Sequence, residues 1–378
     1  MKEGLLALSL CLGALTMYAQ SSPHVIFGEW PRYFQQEEKV VRVFLDKNGD
    51  YYPNSIIPAA DLRESGASIR EHFSTNADAF LAVLQSYGVA STGSFEDDYA
   101  ALQGEIVDDL LRLVNALDQE HDLYILIHGF RKPMLPQRGG SPSSRGYASV
   151  RSSIQGQYSA QSEEAVFLEV YWDGTYDCCI GRKTKVNKRI FKLFEDVAQI
   201  NASEVGYGLR RLVPAIDRDE LTIVTHSLGA QVGLSLLTNT YDERIDAKEQ
   251  ELPTPAQARV NIGLIAPAIS RDPFEDYDER TLSTVADNDN YHLNILYNEK
   301  DFVLKKRWKI FGPGPKKYGD TSLGCNCRNE AEKLAEDFAE NFPSSAITLY
   351  KSAIGGTHRF TRYANSRAFT AFLAVVME

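Results

Sequence analysis

The sequence predicts an α/β protein built on a mainly parallel sheet of strands with helices on both faces. Two observations carry that prediction. Short apolar runs rich in Val, Ile, Leu and Tyr recur at 123–127, 165–171, 221–225, 260–266, 293–297 and 347–351. Such runs read as strands buried on both faces. Helical patterns fall between several of them, as at 190–212 and 231–241. Strands alternating with helices imply crossover connections and hence parallel pairing.

Composition narrows the class. Apolar residues make up 43% of the 378 residues, enough for a large core, and the formal net charge is −11. That charge argues against nucleic acid as a partner, since phosphate binding needs a basic face. The first twenty residues read as a leader rather than part of the fold. Lys2 precedes an apolar run over 5–17, followed by Tyr18-Ala19-Gln20 and the polar Ser21-Ser22. That is a secretory signal, cut after Ala19 or Gln20, and it predicts export to a periplasm or the outside. The run is too short for a membrane span, which needs ~20 apolar residues. Leu10, before Cys11, is too large for a lipoprotein signal. The expected mature chain, 21–378, shows no repeat or linker and reads as one domain.

Removal of the leader leaves Cys178, Cys179, Cys325 and Cys327. In an oxidising compartment an even number of cysteines favours disulfides. Both pairs are expected at the C-terminal edge of the sheet, so bridges between the pairs are expected, with bridges inside each pair as the alternative. Neither pair has the C-x₂₋₄-C spacing of a structural zinc site, so no metal site is expected.

Along the chain, 39–53 reads as two strands around Asn48-Gly49, a strong hairpin signal. Asp46-x-Asn48-x-Asp50 also resembles the start of a calcium loop, but the terminal Glu of such a loop is replaced by Ile57. Helical spacing follows over 61–87 and 96–118. Two connections, 131–164 and 302–345, exceed plain crossovers and are expected as long loop insertions. They leave the C-terminal ends of strands, where open α/β sheets bind ligands.

Chemistry concentrates at 221–234, where an apolar strand runs into His226-Ser227-Leu228-Gly229 and a helical pattern starts at once. This is the context of a nucleophile elbow: a sharp strand-to-helix turn lifts the serine hydroxyl above the sheet edge. The turn also aims the Leu228 N–H at the place where an oxyanion would form. Thr225 stands where such motifs usually have glycine.

His128-Gly129-Phe130 together with Thr225-His226-Ser227-Leu228-Gly229 resembles the α/β-hydrolase superfamily. The pattern is most similar to bacterial serine-hydrolase-like members with H-G-[FY] after one strand and [AT]-H-S-[LM]-G after a later one. The resemblance covers most of 120–378. It implies a sheet of about eight strands and the chain order nucleophile, acid, base. It also implies a second oxyanion donor at the Phe130 N–H and a structural role for His128. Asp301, in Asp301-Phe302-Val303-Leu304, matches the family's acid, with Glu299, Asp287 and Asp289 as rivals. His292 and His358 are the histidines after the elbow. His292 lies at the wrong end of its strand. His358 follows a strand and a Gly355-Gly356 loop, at the family's base position. Tyr171 and Trp172 are candidates for a pocket wall, or plain core aromatics.

The function expected is a serine hydrolase acting on a small-molecule or lipid ester through an acyl-enzyme on Ser227, with no cofactor. A peptidase or acyltransferase would share the trio, and a non-catalytic binding scaffold is the alternative outside enzymes. Lys305, Lys306, Arg307, Lys309, Lys316 and Lys317 interleave with Trp308 and Phe311. They read either as a solvated face or as a segment, 305–317, that touches an anionic surface.

Overall fold

The computed structural model describes residues 37–53, 68–130, 143–159, 164–172, 174, 193–237, 258–271, 290–305, 321, 323–341 and 346–377. The expected leader, Cys178, Cys179, Asp287, Asp289 and all of the basic segment beyond Lys305 lie outside these residues.

The centre is one sheet of seven strands: β1 (Val40–Leu45), β2 (Asp122–Ile127), β3 (Ala165–Trp172), β4 (Glu220–His226), β5 (Arg259–Ile265), β6 (Tyr291–Tyr297) and β7 (Ala346–Lys351). The order is β1-β3-β2-β4-β5-β6-β7, and all neighbours pair in parallel. The strands from β2 to β6 are nearly continuous apolar runs because they have strands on both sides and side chains packed above and below. Seven strands among the described residues stand against the eight or so expected.

Helices surround the sheet. Among the described residues three lie before β2: α1 (Ile69–Thr75), α2 (Ala77–Ser86) and α3 (Phe95–Asn115). Ser68 and Ser94 cap α1 and α3 by accepting the N–H groups of Glu71 and Asp97. Next in the chain come α4 (Ser143–Tyr158), α5 (Gln199–Leu209), α6 (Gly229–Leu237), α7 (Glu330–Asn341), α8 (Phe360–Ala364) and α9 (Arg367–Val376). α6 packs on β2, β4 and β5, with α5 against it, while α4 meets β3, α8 and α9.

Three expectations need correction. The segment 39–53 is not a two-stranded hairpin. Its turn forms, with Gly49 at φ 76° and the Asp46 N–H bonded to the Asp50 carbonyl at 3.0 Å. The return leg stops at a single antiparallel bridge, Leu45 to Tyr51, and β1 instead joins β3. The Tyr52 N–H still reaches the Phe44 carbonyl at 3.0 Å, but the Gln103 side chain takes both backbone groups of Tyr51, at 2.8 and 2.9 Å, so Tyr51 has none left for a further ladder partner. Asp46 serves the turn and a helix start, accepting N–H groups from Asn48, Asp50 and Ile69.

The two long insertions also contain helices. In 131–164, α4 buries Tyr147, Val150, Ile154 and Tyr158, a helical spacing hidden among Gly, Ser and Arg. In 302–345, α7 buries Ala331, Leu334 and Phe338. Finally, the 190–212 helix carries a π-helical turn, Phe194–Ala198, directly before α5.

Candidate active site

The C-terminal ends of β2, β4, β6 and β7 converge on one point. At the end of β4 the chain turns at Ser227, whose φ of 57° is left-handed and strained for a residue with a side chain. The turn is held because the Ser227 N–H reaches the Ile265 carbonyl at 3.0 Å and the Ala268 N–H reaches the Ser227 carbonyl at 3.0 Å. Thr225 is fully buried at the place where similar motifs have glycine. The missing space is found on α6: a Cβ on Gly233 would lie 3.0 Å from the Thr225 methyl.

The loop after β2 lies against this turn. A Cβ on Gly229 would stand 2.6 Å from the His128 carbonyl oxygen, so both backbones need glycine to approach. The N–H groups of Phe130 and Leu228 donate to no protein acceptor among the described residues. The Phe130 ring packs edge-on against Phe194.

His128 is structural in this arrangement. Its Nε2 accepts the Trp172 N–H at 3.2 Å, so the proton sits on Nδ1, which donates to the Gly129 carbonyl at 3.0 Å. The indole of Trp172 stacks on the imidazole and donates to the His128 carbonyl at 2.8 Å. Trp172 and Tyr171 are fully buried. They are core aromatics: Trp172 ties β3 to the loop after β2, and Tyr171 stacks on Phe44 of β1.

Ser227, His358 and Asp301 meet in one hydrogen-bonded chain. The Ser227 Oγ lies 2.8 Å from His358 Nε2, and His358 Nδ1 lies 2.7 Å from Asp301 Oδ2. Asp301 is fully buried, so its charge needs partners. It has them: Oδ1 accepts the N–H groups of Val303 and Leu304, and Oδ2 also accepts the Tyr363 hydroxyl at 3.0 Å. Burial, and then the Asp301 carboxylate, hold the Tyr363 phenol well above its ordinary pKa, so it remains a donor.

Two of the alternatives, Glu299 and His292, are engaged elsewhere. Glu299 pairs with Lys351 Nζ at 2.6 Å, and that hydrogen bond lowers its pKa. His292 sits near the start of β6, beside Arg259. Among the described residues, no group of three or more His, Cys, Asp or Glu side chains could hold a metal ion.

Three neighbours were not assigned a role from the sequence. Tyr363 is the first. Asn298, almost wholly buried, is the second: its Nδ2 donates to the Gly355 carbonyl at 2.8 Å, and its own carbonyl accepts the Asp301 N–H at 2.9 Å. It therefore ties the loop of Asp301 to the loop that leads to His358. The Asn-x-x-Asp spacing after β6 is the local signal, since Asn side chains close such turns. The third, His226, lies with its ring 5.0 Å from that of His358.

The disulfide joins Cys325 to Cys327 within one pair, not across the two. The segment is occupied locally: the Gly324 carbonyl accepts the Asn298 N–H, and a Cβ on Gly324 would meet the Pro267 carbonyl oxygen at 2.5 Å.

No protein-family model matches the chain, and no curated protein matches it. A solved structure of an uncharacterized protein from Bacillus cereus aligns over 82% of this chain and 97% of its own, at 9% identity. Its TM-score is 0.32, too low to carry an argument about fold or function.

Proposed function

We propose that the protein is a serine hydrolase of the α/β-hydrolase fold that cleaves an ester through an acyl-enzyme on Ser227. The observation that carries this reading is the unbroken chain from Ser227 Oγ through His358 to the buried Asp301, at 2.8 and 2.7 Å. A serine hydroxyl is a weak nucleophile at neutral pH and needs a base within ~2.6–3.2 Å. His358 Nε2 fills that place. As Oγ attacks the ester carbonyl, its proton passes to Nε2, and Asp301 holds the imidazole with Nδ1 protonated and stabilises the cation. The carbonyl oxygen, now negative, is received by the Leu228 and Phe130 N–H groups. The C–O bond then breaks, the alcohol leaves with the proton from Nε2, and the acyl group stays on Oγ. Water repeats the sequence and frees the carboxylic acid.

The strained φ at Ser227 and the left-over N–H groups on both flanking loops support the same reading, because elbows store strain to expose the nucleophile. A fluorescent fluorophosphonate tests it. The expected result is covalent labelling mapped to Ser227 and lost in Ser227→Ala. Folded wild-type protein that stays unlabelled would overturn the reading and leave a binding scaffold.

A further inference from the structure

His226 is the last residue of β4, in register with Ile265 at the centre of the sheet, and it is 3% exposed. Its Nε2 lies 3.1 Å from the backbone carbonyl oxygen of His358. A carbonyl only accepts, so Nε2 carries the proton. The His226 ring stacks on Phe360 with centroids 4.7 Å apart and 16° between planes, and lies 5.0 Å from the His358 ring. The residue before the nucleophile thus grips the base by its backbone and the next aromatic by its face.

The base needs that grip. His358 stands outside any helix or strand, three residues after Gly355 with its left-handed φ of 75°. Asn298 fastens the loop at Gly355 and Thr357, at 2.8 and 3.4 Å, short of the histidine itself. From the side of β4, His226 holds His358 directly.

We propose that His226 is a positioning residue: its Nε2–H fixes the His358 carbonyl and so sets the imidazole over the Ser227 hydroxyl. The inference rests on the serine-hydrolase reading. Misplacing a reacting group by about 1 Å costs roughly 100-fold in rate, whereas losing packing alone acts on stability. The two are therefore separable.

Three variants make the test, each assayed for labelling rate at Ser227 and for turnover of a short-chain nitrophenyl ester. His226→Phe keeps a ring against Phe360 and deletes the donor. His226→Gln restores an N–H and gives up the stack. His226→Met is a second variant without a donor, used where the Phe ring cannot be housed, since Met adapts to irregular space. The donor-less variants are expected to lose about 10- to 100-fold in kcat and in labelling rate, with KM changed less than about twofold. His226→Gln is expected to recover most of the rate. Wild-type kcat in a donor-less variant would overturn the proposal, and so would equal losses in the Gln and Phe variants. An unlabelled wild-type protein would overturn the hydrolase reading itself, and this inference with it.

Discussion

Gly129 and Ser227 are packed back to back: a Cβ on Gly129 would lie 2.7 Å from the Ser227 Cβ and 2.6 Å from the His226 carbonyl oxygen. Real side chains do not come so close, so the loop carrying Phe130 reaches Ser227 only because Gly129 has none. Gly129→Ala is expected to push the two loops apart, costing ~1–3 kcal/mol of stability and roughly 10- to 100-fold in kcat. Gly104→Ala is the control. Gly104 lies inside α3 with open space around its missing Cβ, so alanine there should stabilise by about 1 kcal/mol and leave turnover alone. Thermal melts and ester turnover of the two variants check both halves.

In the proposed mechanism Asp301 is the acid, on the strength of its partners. Asp301→Asn is expected to lower kcat by several orders of magnitude through the wrong histidine tautomer. Tyr363→Phe removes one of four hydrogen bonds to the same carboxylate and should cost ~1.5–3 kcal/mol of stability. Its effect on kcat should be far smaller than that of Asp301→Asn. Glu299→Gln should do nothing to kcat, because that carboxylate is engaged with Lys351. Activity in Asp301→Asn with loss in Glu299→Gln would reverse the assignment.

Stability should fall as pH rises past the acid range, for a reason located at Asp46. Burial, then the nearby charge of Asp50, push the Asp46 carboxyl up to about 7 against three N–H groups that pull it down. A carboxyl with a raised pKa in the fold contributes fully below its unfolded value and loses that contribution as pH rises through the folded one. The window is therefore about pH 4 to 7. Asp50→Asn removes the like charge and should narrow the gap between Tm at pH 5 and Tm at pH 8, as read by calorimetry. An unchanged gap would count against this source.

The cysteine expectation also becomes testable. Non-reducing peptide mapping should return Cys325 and Cys327 in one internally bridged peptide. The ring closed is very small, so the chain-entropy gain is at most about 1–2 kcal/mol, below the 2–4 typical of longer loops. The Cys325→Ser/Cys327→Ser double variant should accordingly shift the denaturant midpoint only modestly.

Much of this was readable in the chain itself. The runs that become β2 to β6 are apolar throughout because a parallel sheet buries both faces, so their period and length announce them. Ser227 declared itself through the strand, turn and helix around it, and His358 and Asp301 through chain order. None of those signals depends on a distant residue. The rest does. Whether Asp301 or Glu299 serves the histidine is decided by Tyr363, 62 positions on, and by Lys351. The hairpin at Asn48-Gly49 is cut short by Gln103, whose amide takes Tyr51 from 52 positions away. His226 gains a role only when the loop from β7 folds back across β4. Local sequence sets which backbone shapes are cheap, and partners brought together by packing determine which polar groups must be satisfied and by whom.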